Sequence, residues 1–132
     1  MVMKEEDIKK IAEKYNLTLV VLFGSQATGK THKNSDMDIA VRGGRLLDLT
    51  ELIHIQADFC DIFGRSDVEV VDIQTASPIL LRDITQDGKV LHSKTGDEFA
   101  ILRMYASKLF VETQPLRDYR HTYLEKFIHQ HA

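Results

Sequence analysis

Asp36 and Asp38 stand one residue apart, and a Gly24-Ser25 pair precedes them with ten residues between. Along an extended chain alternate side chains share a face, so these two carboxylates project together, a few ångströms apart. Such a pair repels itself unless a divalent cation neutralises it, and hard Mg²⁺ takes oxygen ligands of this kind, completing its shell with water and nucleotide phosphates. Mn²⁺ satisfies the same donors. The upstream glycine and serine offer amides and a hydroxyl to a phosphate in the preceding turn. A third carboxylate on a neighbouring strand would complete a two-metal site, which holds the attacking and leaving oxygens for in-line displacement at phosphorus. Glu69, inside the apolar segment 68–73, is the candidate, because a charge there needs a reason. Asp67 shares its face by alternation and could substitute.

The same stretch carries a competing phosphate pattern. Residues 24–31 read G-x-x-x-x-G-K-T, the P-loop arrangement in which glycine amides cradle phosphates and Lys30 reaches the outer ones. A P-loop works because a helix starts at its Gly-Lys-Thr end. Here His32-Lys33-Asn34-Ser35-Asp36 is a string of turn formers, and strand-like residues 37–42 follow at once. The carboxylate reading is preferred, with P-loop nucleotide binding through residues 24–31 as an alternative.

The elements that must position these residues alternate helix and strand. Ile8, Ile11, Ala12 and Tyr15 keep a helical period that Asn16 ends. Residues 17–23 are apolar and uncharged, a buried strand running into Gly24. Gly43-Gly44 breaks the chain after the strand 37–42, and apolar positions from Leu46 to Phe63 predict a long helix closed by Gly64. Residues 68–73 form a third strand. Ser77-Pro78 opens a helix to about residue 85, and Asp87-Gly88 turns into a short strand at 90–92. Thr95 or Asp97 caps a helix through about 113, Pro115 interrupts, and a polar helix carries residues 117–129. The class is α/β (α+β), a small mixed sheet packed by helices, with residues 1–95 as the domain and 96–132 as a C-terminal helical extension.

With 132 residues, 43% hydrophobic, the chain fits one compact core. Its net charge of -3 gives no broad basic surface, so direct nucleic-acid binding is not expected. No apolar run approaches the ~18 residues of a membrane span, and residues 1–10 lack the apolar centre of a secretory signal, so a cytoplasmic protein is expected. The single cysteine, Cys60, lies at helical spacing among Ile55, Phe59 and Phe63 and reads as a core residue.

Gly24-Ser25 followed by Asp36-x-Asp38 between two strands resembles the minimal nucleotidyltransferases, the smallest branch of the DNA polymerase β-like superfamily. The likeness continues through Asp67 to Ile73, Ala76-Ser77-Pro78 and Gln86 to Leu91, covering about residues 5–93. The tail, Asp97-Glu98-Phe99-Ala100 with Met104-Tyr105, resembles the MntA-type antitoxins, which are paired with HepT toxins, HEPN-domain ribonucleases. The resemblance implies the nucleotidyltransferase fold and Mg²⁺-dependent transfer of AMP from ATP to a tyrosine hydroxyl of the toxin. It implies that Gly24 and Ser25 hold the nucleotide phosphates, that Asp36 and Asp38 ligate the metals, and that Glu69 ligates one and draws the acceptor proton. Two positions depart from the family pattern: Thr28 stands where many members carry arginine, leaving Lys30 or Lys33 to compensate, and the third carboxylate is glutamate where aspartate is common.

Size points the same way independently. Once residues 1–93 supply the nucleotide end, two helices remain, too little for a deep small-molecule pocket of several hundred cubic ångströms, so a partner chain must offer the acceptor. A binding antitoxin that blocks its toxin sterically is the alternative from another class. In the tail, Phe99, Leu102, Tyr105, Ala106, Leu109 and Phe110 read as core packing, and Arg117, Arg120 and His121 as solvated side chains.

Overall fold

The computed structural model describes residues 2–24, 27 and 36–131. Four strands form one mixed sheet in the order β3-β2-β1-β4: β1 (Leu17–Phe23), β2 (Met37–Gly43), β3 (Val68–Asp72) and β4 (Lys89–Ser93). β1 pairs antiparallel with both β2 and β4, and β2 pairs parallel with β3. The two central strands are covered on both faces, which is why Leu19 to Val21 and Ile39 to Val41 are uninterrupted apolar runs and fully buried.

Helices α1 (Val2–Lys14) and α2 (Leu49–Phe63) cover one face. Ile8, Ile11 and Ala12 of α1 and Ile55 and Phe59 of α2 meet Val20, Met37, Ile39, Val41 and Val68 there, with Cys60 packed at the edge of the cluster. Asn16 ends α1 with a left-handed φ of 55°. Tyr15 then donates to Asp58 at 2.6 Å and Lys14 pairs with the same carboxylate at 2.9 Å, tying α1 to α2.

Helices α3 (Pro78–Asp87) and α4 (Glu98–Glu112) cover the other face, where Leu81, Ile84, Leu102 and Ala106 pack on Leu19, Val21, Phe23, Ala40 and Ile73. Gly88 between α3 and β4 is a close approach. A Cβ there would lie 2.1 Å from the Ile84 carbonyl oxygen and 2.6 Å from Val21 Cγ1. The last helix, α5 (Gln114–His131), buries no residue.

Local chemistry moved several boundaries from those read in the sequence. α2 starts at Leu49, because Asp48 and Glu51 form a reciprocal capping box, leaving Leu46 outside the helix and 61% exposed. β3 ends at Asp72, whose buried carboxylate accepts from the Gln74 amide at 2.9 Å and the Leu47 amide at 3.1 Å, bending the chain into a 3₁₀ turn at Ile73–Thr75. Pro115 lies inside the first turn of α5, where its missing amide has no helical partner to lose. No helix among the described residues is long and apolar enough to cross a membrane.

Candidate active site

Alternation along β2 sends Met37, Ile39 and Val41 into the core under α1 and α2, and Asp38, Ala40 and Arg42 to the opposite face. β3 does the same: Val68 goes inward with Met37, while Glu69 shares the face of Asp38. The parallel register then pairs Asp38 with Glu69 directly. Asp38 is half-buried and Glu69 exposed, while Asp36, just before β2, is exposed. Burial holds the Asp38 carboxyl above the ordinary aspartate range, and the charges of Glu69 and Asp36 and a hydrogen bond with Glu69 push the same way.

The end of β1 completes this corner. Phe23 pairs with Asp38 across the sheet, and Gly24 follows in the left-handed region at φ 76°. A Cβ on Gly24 would lie 2.5 Å from Asp38 Oδ2, so only glycine leaves the carboxylate its room. The Ala27 amide donates to the Gly24 carbonyl at 3.1 Å, closing a turn directly after the strand. Ser25, Thr28, Lys30 and Lys33 lie outside the described residues.

Asp67, the substitute for Glu69, is occupied. Arg65 grips its carboxylate through two hydrogen bonds of 2.7 Å, which hold it below the usual carboxylate range. The Asp67 carbonyl also accepts from the Met37 amide at 3.1 Å, stitching the start of β2 to β3. Hydrogen bonds to Asp67 raise the Arg65 guanidinium, the charges of Asp67 and Asp36 add to them, and Arg65 supplies positive charge beside the acidic corner. Sequence reasoning passed over Arg65. Its signal was the Arg-x-Asp spacing ahead of the strand, too short to stand out.

The structure thus brings Asp38, Glu69 and Gly24 together with Asp36 alongside. Among the described residues, no three His, Cys, Asp or Glu side chains converge tightly enough to enclose a metal ion. The donor set nevertheless fits a hard divalent cation: its donors are all carboxylate oxygens, they repel one another, and burial together with that repulsion raises the proton affinity of Asp38. The P-loop geometry fails on topology. That site lies between a strand and a helix that crosses over to a parallel strand, whereas the next described strand after β1 is β2, paired antiparallel with it and with Phe23 opposite Asp38.

The tail residues have structural roles. Arg117 donates to the Phe110 carbonyl and to Thr113 Oγ1, both at 2.6 Å, and His121 sits 3.1 Å from Glu125. Leu102 and Ala106 are core as expected, but Tyr105 is 56% exposed.

Comparisons with known proteins converge on one group. The family described as polymerase beta, nucleotidyltransferase matches residues 6–97. The protein adenylyltransferase MntA of Shewanella oneidensis is 38% identical over 109 residues, 77% of this chain and 75% of that protein. A crystal structure of a toxin-antitoxin with AMP-PNP superposes with a TM-score of 0.76 at 27% identity, covering 94% of this chain and 98% of the other. In fold, the chain also resembles a component of a tri-AMPylated Shewanella oneidensis HEPN toxin in complex with its MNT antitoxin, with a TM-score of 0.70 at 23% identity over 96% of this chain and 97% of that one.

Proposed function

The chain belongs to the polymerase β-type nucleotidyltransferases, and from that premise we propose that it is an antitoxin protein adenylyltransferase, which transfers AMP from ATP to a tyrosine hydroxyl of a cognate HEPN, HepT-like toxin and so neutralises it. The observation that carries this reading is the Asp38–Glu69 register pair beside Gly24. A carboxylate pair on one sheet face, with a glycine turn next to it, suits a nucleoside triphosphate and an incoming hydroxyl. The 38% identity to a protein adenylyltransferase supports the choice of acceptor class.

The acceptor oxygen attacks the α-phosphorus, forming the new P–O bond, while the bond to the oxygen bridging the α and β phosphates breaks and pyrophosphate leaves. Glu69, exposed at the sheet edge, takes the proton from the attacking hydroxyl. The turn at Gly24, with Ser25 after it, holds the phosphates so that the pyrophosphate lies in line with the attack. Asp36, Asp38 and Glu69 would hold Mg²⁺, or Mn²⁺ in its place, and the cation supplies charge neutralisation at the phosphates. The Arg65–Asp67 pair fixes the backbone at the start of β2 and thereby the position of Asp36. Because ATP and a ribonuclease target are both cytoplasmic, we place the protein in the cytoplasm.

Incubation with the cognate toxin, Mg²⁺ and ATP labelled at either the α or the γ phosphorus tests the reading. Label on the toxin from the α position, lost in Asp36→Asn/Asp38→Asn, is expected. Neutralisation that persists undiminished in the double variant would replace catalysis with steric blocking.

A further inference from the structure

Four residues further along the chain from each member of the carboxylate pair, at Arg42 of β2 and at Ile73 just past β3, the sheet face opens into a groove of about 410 Å³. Arg42 and Ile73 with Gln74 line one side, and Ile101, Leu102 and Tyr105 of α4 line the other. Asp38, Ala40 and Arg42 share one face of β2, and Ala40 pairs with Val71 between Glu69 and Ile73, so groove and carboxylates lie on one continuous sheet face. Ile101 and Tyr105 are each 56% exposed, and Met104 next to them is 74% exposed. Arg42 makes no ion pair among the described residues.

We propose that this groove is where the toxin docks the segment that carries its acceptor hydroxyl, with an apolar side chain between Ile73 and Ile101 and a carboxylate on Arg42. The proposal rests on the adenylyl-transfer reading above and specifies how that site selects its substrate. Continuity with the carboxylate pair chooses the occupant, because groove and carboxylates share one sheet face and a segment seated in the groove runs on toward Asp38 and Glu69. Charge complementarity sets its chemistry: one guanidinium that makes no ion pair among the described residues, beside the apolar side chains of Ile73, Ile101 and Leu102, calls for one acidic group. Spacing sets its register. At ~3.3 Å per residue, Arg42 lies roughly 13 Å from Asp38, so the acidic residue falls about four positions from the acceptor in an extended segment.

The test compares the chain with Arg42→Glu, Tyr105→Asp and, as a control on α2, which covers the opposite sheet face, Ile53→Asp. Three quantities are read: affinity for the toxin without nucleotide, KM for the toxin in AMP transfer, and affinity of the chain alone for Mg²⁺-ATP. Both groove variants are expected to weaken toxin binding and raise KM by about tenfold or more, with Mg²⁺-ATP affinity and the control unchanged. A lysine replacing the toxin's acidic residue should restore Arg42→Glu. Wild-type affinity in both groove variants overturns the proposal, as does an equal loss in Ile53→Asp or a change in self-association of the chain alone in place of toxin binding. Toxin affinity is measured without ATP, so the two readings fail separately: a wild type that binds through the groove and moves no AMP overturns adenylyl transfer, and one that transfers AMP regardless of the groove overturns the docking.

Discussion

Asp38 and Glu69 face each other as register partners across the parallel β2–β3 pair, with both carboxylates on the sheet face opposite the α1–α2 core. Nothing in the packing requires acid there, and burial, with the facing charge of Glu69, raises the proton affinity of Asp38. A pair kept against its own repulsion serves chemistry at the expense of stability. Asp38→Asn and Glu69→Gln are therefore expected to lower AMP transfer by about a thousandfold while leaving stability unchanged or raising it, by at most ~1 kcal/mol since Asp38 is only half-buried and Glu69 is exposed. Urea unfolding in chelator together with a transfer assay reads both, and a clear loss of stability in either variant would mark the pair as structural.

The Asp38 shift sets a pH dependence whose sign depends on the metal. Its folded value lies above its unfolded one, so the metal-free fold binds the extra proton and gains stability as pH falls through the raised value toward 3.8. Metal binding requires the ionised form, so Mg²⁺ affinity should weaken on acidification, starting above the ordinary aspartate range. Thermal unfolding across pH, with and without saturating Mg²⁺, should give opposite slopes in that window.

Gly24→Ala isolates the turn. The new Cβ would meet Asp38 Oδ2 at 2.5 Å, at a φ of 76° that alanine resists, so carboxylate and turn both have to shift. Loss of transfer by about a hundredfold or more is expected, with roughly 1 kcal/mol of stability lost. Retained kcat with an ordered turn would show that the space beside Asp38 is not used.

Most of the fold was legible because burial writes itself into pattern: the apolar runs of β1 and β2, the stop at Asn16 and the Gly64 cap each had a local signal. Asp38 stood out for the opposite reason, as a charge where a strand has no use for one. What the sequence hid was reciprocal bonding. The Asp48–Glu51 box that shortens α2, the Asp72 carboxylate that ends β3, and the Arg65 grip on Asp67 all depend on which partner a polar group finds in space. Period and propensity do not carry that choice.

Glu98 joins β4 to α4. It accepts from Ser93 Oγ at 2.5 Å, from the Thr95 amide at 2.7 Å and from the Gly96 amide at 3.1 Å, and the first of these does most to lower its carboxyl from 4.5 to about 2. Because the folded value is depressed, its stabilisation is fully present above pH 4.5 and is lost as pH falls toward 2. Glu98→Gln should flatten the acid limb of the stability curve in that window, and Ser93→Ala should do so in part. An acid limb identical to wild type in both would show that the bonds do not persist in solution.

The direction of α5 rests on one ring. The Arg82 guanidinium from α3 lies 4.4 Å from the centre of Phe110 and that of Arg117 from α5 lies 3.8 Å from it. Arg117 also donates to the Phe110 carbonyl, Thr113 Oγ1 and Gln114 Oε1 at 2.6 to 2.7 Å, so a single side chain spans the α4–α5 junction. Since α5 buries nothing, this junction is what holds it to the rest of the chain. A planar fork that stacks and donates at once has no lysine equivalent. Arg117→Lys should leave thermal unfolding of the sheet domain within about 0.5 kcal/mol of wild type. It should also speed proteolysis between Thr113 and Gln114 severalfold, as limited digestion followed by mass spectrometry would read. Unchanged cleavage would mean that α5 is held by contacts other than this clamp.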